Sequence, residues 1–408
     1  MPVQPDLAAD GACAPSPPTV PSRLLSLRLY YFASFAALGA FAPFFPRWLE
    51  ARGIQGLSMG ALSALVPAMG VLGPPAVGLL ADALGLRGSL LRVACLGACL
   101  SLGVLAMIGG AGGALSFGVL FVAILGYAAF RSPMVMLADV VALERVRAAG
   151  TSYGMVRLWG SVGFLAAVLV AGRQIDPRAP ATLPAVASAL LAVALVAAWT
   201  LPASPDAPRL PVVREARALA TAPDFAVFLG ISLLGQLAHA SYDLCFSLHL
   251  RDLGATGTLI GAAWALGVVF EIALMAFAEP LVARFSGPPL IAVALFGGAV
   301  RWALLARLRS LPVLLALQPL HALSFGLWWI ASLAYVRRRA PGHALATAQG
   351  LFSAALAAGS VAGMLAWGAI YQRSGGGAAY RAAAVIALAA AALATLWARR
   401  AAQTVHGA

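Results

Sequence analysis

The sequence predicts an all-α integral membrane protein of twelve transmembrane helices in two pseudo-symmetric six-helix halves, on three observations. Hydrophobic residues make up 62% of the 408 and charged residues only 10%, and the mean hydropathy is +0.91, far from the composition of soluble globular domains. Apolar runs of about 20 residues, the length that crosses a bilayer, recur along the chain. A stretch rich in proline and charge divides them into six and six.

In order, residues 1–22 are rich in Pro and Ala, lack a hydrophobic signal core and read as a disordered cytoplasmic tail. The amino half, 23–201, holds apolar runs at 25–49, 57–81, 88–110, 114–137, 151–172 and 179–201. Residues 202–222, PASPDAPRLPVVREARALATA, interrupt the pattern as a cytoplasmic linker would. The carboxyl half, 223–398, repeats the theme with runs at 223–249, 257–282, 288–309, 311–336, 343–371 and 376–398, and 399–408 form a second cytoplasmic tail.

All 27 basic residues are arginines, and the net charge is +13. In a soluble protein that excess would suggest nucleic acid, but here the arginines are spread over loops. With the amino terminus inside, 15 of them face the cytoplasm, among them Arg92, Arg145, Arg147, Arg214, Arg337 and Arg399, against nine outside. That bias obeys the positive-inside rule, so both termini are expected in the cytoplasm and the chain in the cell inner membrane. The four cysteines, Cys13, Cys95, Cys99 and Cys245, have no metal spacing. No metal, cofactor or nucleic acid is expected.

The halves carry a faint repeat. An offset of 196 places Gly154 on Gly350 and Gly163 on Gly359, a shared glycine frame that would let helices pack closely. Duplicated six-helix halves are a mark of transporters.

At the end of the second run stands GLLADALGLRGSLL, whose Gly78, Asp82, Gly85 and Arg87 resemble the loop motif between helices 2 and 3 of the major facilitator superfamily. There an acidic side chain at a helix end and a basic one at the membrane surface form a charged latch. GAFAPFFPRWL at 39–49 and YGMVRLWGSVGF at 153–164 resemble helices 1 and 5 of the lactose permease branch of proton symporters, and still more its phenylpropionate permease relatives. In the carboxyl half ALGVVFEIALMAF at 265–277, RW at 301–302, QPLHALSFG at 318–326 and AQG at 348–350 follow the same pattern in order. The resemblance implies a central cavity between the halves.

A charged side chain inside a span costs about 2.5–3.5 kcal/mol on insertion scales, so it tends to face the bundle interior. Such residues are Arg131, Arg157, Asp243, Glu271 and Arg301, with His239 and His321 as titratable companions. Gln236, His239 and Asp243 fall on one stripe of the seventh helix, and Gln318, His321 and Phe325 on one stripe of the tenth. Glu271 and Arg301 lie on consecutive helices and read either as a structural ion pair or, by the resemblance, as part of a proton-coupling network with His321. The family's carboxylate one turn beyond the histidine is missing, since Ala322, Leu323, Ser324 and Phe325 follow His321. Glu271, or alternatively Asp243, is then the proton carrier.

The resemblance makes Arg157 the helix 5 substrate arginine. The family's partner glutamate in helix 4 falls on Met136 when aligned on Pro133, which argues against a galactoside and leaves a guanidinium able to hold an anion in a bidentate way. Alternatively Arg157, about 9 Å into a helix that starts at Thr151, snorkels to the cytoplasmic surface. Tyr30, Tyr31, Phe35, Phe164, Trp264 and Trp328 would supply aromatic walls. The expected substrate contacts are Arg157, Tyr31, Phe35, Phe164, Trp264, Gln318 and Gln349.

The function expected is import of a small aromatic or phenylalkanoic acid with protons, by a monomer in the bilayer that alternates between two faces. Proton-driven efflux and sugar or nucleoside symport are the alternatives within transport. A membrane enzyme would need a nucleophile, metal or phosphate motif, and no HExxH, GxSxG or GxxxxGK[ST] pattern is present.

Overall fold

The computed structural model describes residues 20–84, 86–110, 116–174, 182–201, 218–285, 287–340 and 345–406, and these form helices joined by short turns. Helix α1 (Val20–Phe41) hands over to a 3-10 turn, Ala42–Phe44, and then to the short α2 (Phe45–Glu50). Pro43 and Pro46 explain the step, because proline removes a backbone donor and crowds the preceding turn. Helices α3 (Gly56–Leu84) and α4 (Arg87–Gly110) keep close to the expected runs.

The fourth run, expected as one helix over 114–137, is two rods, α5 (Phe117–Arg131) and α6 (Met134–Ala148). Pro133 stands between them and cannot continue the hydrogen-bond ladder. Helices α7 (Tyr153–Gln174) and α8 (Leu183–Trp199) complete the amino half.

The carboxyl half opens with α9 (Pro223–Asp252), α10 (Gly257–Arg284) and α11 (Gly287–Arg307). The run expected as one helix over 311–336 is broken. It begins as α12 (Leu311–Ala316), tightens around Pro319, widens into a π turn at Ala322–Leu327 and resumes as α13 (Trp328–Arg339). The tightening is visible in the bonds, since the amides of Gln318 and His321 donate only three residues back, to Leu315 and Gln318. Both final runs lie in α14 (Leu345–His406), which passes the expected end at 398 and turns at Gly375, whose φ of 73° favours glycine.

Among the described residues nine helices are long and apolar enough to cross a membrane, against twelve expected. Helix α8 is shorter, 311–339 is interrupted, and α14 joins two runs through Gly375.

Within the amino half α1 packs on α7 and α8, and α4 on α5 and α8; within the carboxyl half α9 and α11 pack on α14. The halves meet where α3 touches α14 and α7 touches α10. The tightest of these contacts stand near the 51–55 and 253–256 turns. A Cβ on Gly368 would collide with the Gly56 carbonyl, and one on Gly172 would lie 2.6 Å from the Gly257 carbonyl oxygen. Further along, a Cβ on Gly70 or Gly350 would have nothing within 4 Å among the described residues, and one on Gly154 would meet only Ser152 Oγ at 3.9 Å. The bundle is closed at the face of the 51–55 and 253–256 turns, and Gly70 and Gly350 border open space toward the opposite face.

Candidate functional site

The broken segment 311–339 brings a set of polar groups into the carboxyl half. Arg301 on α11 is fully buried and donates from Nη1 to His321 Nδ1 at 3.0 Å and to Ser324 Oγ at 3.4 Å, and from Nη2 to Gln318 Oε1 at 3.0 Å. An arginine only donates, so His321 accepts at Nδ1 and a neutral ring carries its proton on Nε2. That nitrogen lies 3.4 Å from Glu271 Oε2. Glu271 and Arg301 are therefore linked through His321 as an intervening ring. The approach of α10 depends on small neighbours, since a Cβ on Gly326 would meet Glu271 Cγ at 3.3 Å.

The two expected polar stripes face each other through rings. His239 stacks on Phe325 at 4.7 Å and approaches His321 at 5.7 Å, while its Nε2 lies 3.7 Å from Asp243 Oδ1. Gln236 donates to Ser360 Oγ at 2.9 Å. Gln318 is fully buried, accepts from Arg301 and donates to the Leu314 carbonyl.

In the amino half the cations sit on rings. The Arg157 guanidinium lies 3.9 Å from the centroid of Phe35 and 5.6 Å from that of Tyr31, and the Arg131 guanidinium lies 5.9 Å from Phe35. A carboxylate is close by all the same. Asp139, three residues beyond Met136, accepts from the Tyr31 hydroxyl at 2.6 Å, while Tyr30 donates to the Met134 carbonyl. Helix α7 starts at Tyr153, so Arg157 is about 6 Å from its start at 1.5 Å per residue.

Between the halves lies a cavity of about 300 Å³ walled by Phe41, Phe45, Tyr127, Phe164 and Trp264, with Ser63, Ser360 and Asp243 as polar members. Trp264 is held across the halves: its indole donates to Ser247 Oγ at 3.0 Å, and Ser247 donates to the Pro43 carbonyl. Of the expected substrate contacts, Phe164 and Trp264 line this cavity. Arg157, Tyr31, Phe35, Gln318 and Gln349 are not among its lining residues. Gln349 is exposed near the start of α14, and Trp328 is buried in a separate core with Phe225 and Leu295.

At the closed face Arg251 pairs with Glu50 of the other half and with Asp252, which accepts from the Tyr371 hydroxyl. Beneath them a smaller space of about 170 Å³ is lined by these groups and by Cys245. Of the expected latch, Gly78 and Asp82 are described only as backbone within α3, Gly85 lies outside the described residues, and Arg87 is buried at the start of α4.

Sequence reasoning missed the cavity members Phe41, Phe45, Tyr127 and Ser63. Two of them lay in the quoted stretch 39–49, where Pro43 signalled a local change of direction. Serine gives no signal, because it costs little inside a span.

A protein-family model described as "MFS_1 like family" matches residues 24–382. The chain is 33% identical over 332 residues to the maltose permease of Geobacillus stearothermophilus, covering 80% of this chain and 82% of that protein. It is 29% identical over 366 residues to the "Probable 3-phenylpropionic acid transporter" of Escherichia coli (strain K12), covering 86% and 92%. In fold it is similar to the crystal structure of the nucleoside transporter NupG, with a TM-score of 0.79 at 18% identity over 92% of this chain and 98% of that one.

Proposed function

The chain belongs to the MFS_1 like family of major facilitator transporters, and from that membership we propose a proton-coupled symporter that imports a small aromatic or phenylalkanoic acid by alternating access. The observation that carries the reading is the cavity between the halves, whose apolar walls include five aromatic rings and whose one charged side chain among the described residues is Asp243. A ring with a single polar head suits such walls. A maltose unit would bring many hydroxyls to a surface offering few partners, and each buried hydroxyl without one costs about 1–3 kcal/mol.

The Arg301–His321–Glu271 chain is the proton carrier's setting, with Glu271 as the group that loads and unloads. Arg157 and Arg131, gathered at Phe35, draw the anion toward the cavity from the face opposite the closed one. That face is cytoplasmic in the orientation the arginine bias favours, so the inner membrane holds the protein with both termini inside and its closed face outward. The protein works as a monomer, with protons, its substrate and the bilayer as partners.

The test is uptake into vesicles reconstituted with the protein under an imposed pH gradient, with labelled 3-phenylpropionate, maltose and a nucleoside in parallel. The acid is expected to accumulate, and only with the gradient. Glu271→Gln should keep exchange and lose accumulation, because the amide fits but carries no proton. Accumulation of maltose or the nucleoside without the acid would overturn the substrate class. Normal accumulation by Glu271→Gln with loss in Asp243→Asn would move the proton carrier.

A further inference from the structure

We infer that Ser63 and Asp243, one from each half, hold the polar head of the substrate, and that Asp243 takes it as a hydrogen-bond donor; for an aromatic acid this means the protonated carboxyl. The inference rests on the aromatic-acid reading for the identity of that head.

The polar groups of the cavity narrow the choice. Ser360 accepts from Gln236, which fixes its oxygen and leaves its hydroxyl proton as a second donor available to the substrate. Ser63 is 7% exposed and its Oγ has no hydrogen-bond partner, a state that costs stability unless something in the cavity completes it. Asp243 presents a side chain that is 34% exposed in a cavity with no cation in its lining.

The charged and titratable groups around Asp243 leave it without a committed donor. His239, one turn back on α9, is at 3.7 Å, beyond a direct hydrogen bond. Arg301 on α11 has both terminal nitrogens engaged with His321, Gln318 and Ser324, and only its buried Nε is without a partner. Glu271 on α10 and His321 form their own pair. Tyr242 adds its ring to Arg301 at 4.4 Å, and Tyr127 offers a phenol from α5.

A carboxylate substrate placed beside a carboxylate side chain in a space this apolar would set two like charges together, which is disfavoured. One proton resolves it. The substrate anion and Asp243 enter as two carboxylates, one proton is taken from solution, and the pair retains a single negative charge with the proton held between them. The Ser63 hydroxyl donates to the remaining substrate oxygen, and the ring lies among the aromatic walls. Because Ser63 stands on α3 and Asp243 on α9, the occupied head ties one half to the other.

The experiment uses the full-length protein in detergent and three probes: 3-phenylpropionate, its amide and 3-phenylpropylamine. Calorimetry in two buffers of different ionisation enthalpy reads protons taken up per ligand bound. Wild type is expected to take up about one proton with the acid and to lose about tenfold in apparent affinity per unit rise in pH. The amide should bind with no uptake. Asp243→Asn should bind the acid without uptake and with a flat pH profile, Asp243→Glu should restore the uptake, and Ser63→Ala should weaken acid and amide alike.

Proton uptake retained in Asp243→Asn, or lost in Glu271→Gln alone, overturns the inference and puts the proton on the His321 pair. If the acid does not bind while the amine does, and Asp243→Asn abolishes that binding, the aromatic-acid reading fails and the head-group role of Asp243 stands. Unchanged binding of every probe to Asp243→Asn and Ser63→Ala, or no binding of any probe to wild type, sinks it.

Discussion

The two halves share a scaffold and divide the chemistry. Gly163 and Gly359, 196 residues apart, do the same job: a Cβ on either would collide with a backbone carbonyl of its own half's first helix, Phe32 in one case and Leu233 in the other. Gly172 and Gly368, at the same offset, each touch the opposite half. Gly350 faces open space, and Gly154 has only its neighbour Ser152 nearby, at 3.9 Å. The buried polar groups do not follow this symmetry. The carboxyl half has a bonded chain of Arg301, His321 and Glu271 with Gln318 and Ser324, whereas the cations Arg131 and Arg157 of the amino half rest on the Phe35 ring. The packing repeats between the halves, and the histidine-centred chain stands in one of them.

The sharpest way to break the comparison is to remove one arginine from each half. Arg301→Ala strands several buried partners at once and should cost about 3–5 kcal/mol, read as a fall of several degrees in the melting temperature of the detergent-solubilised protein. Arg157→Ala loses a ring contact, about 0.5–2 kcal/mol. Equal losses would show that the amino half is as tightly bonded as the carboxyl half. Next comes the glycine frame: Gly163→Leu and Gly359→Leu should each destabilise by about 1–3 kcal/mol through overpacking, and a large difference between them would end the claim of a shared scaffold. The smallest effect is expected at Gly154→Ala and Gly350→Ala, which meet at most an ordinary contact and should stabilise by up to about 1 kcal/mol through helix propensity. A marked loss at either position would mean that the helices meet there in a populated second state.

Much of this was legible in the sequence, and the physical reason is cost. Glu271, Arg301, His321 and Asp243 stand out because an ionisable group in an apolar span is expensive, and the structure links the first three in one chain while Asp243 lines the cavity. The glycine frame was legible for Gly163 and Gly359, but Gly154 and Gly350 showed that a shared position does not fix whether a neighbour is present. Rotation about the helix axis was not legible. In lipid both faces of a helix are apolar, so no periodicity told Phe41 and Tyr127, which line the cavity, from Phe35, which lies under the arginines. Breaks were half legible: Pro133 and Pro319 marked them, while the π turn at Ala322–Leu327 has no residue type that announces it. Glu50, Arg251 and Asp252 escaped notice because charges at helix ends are ordinary.

The ion pair at the closed face has a thiol beneath it. Cys245 is free and fully buried, and it lines the small space under Glu50, Arg251 and Tyr371. Any step that separates Arg251 from Glu50 uncovers that sulfur to water from the sealed side. In a variant that keeps Cys245 and replaces Cys13, Cys95 and Cys99 by serine, a bulky, membrane-impermeant maleimide therefore turns opening into a covalent record.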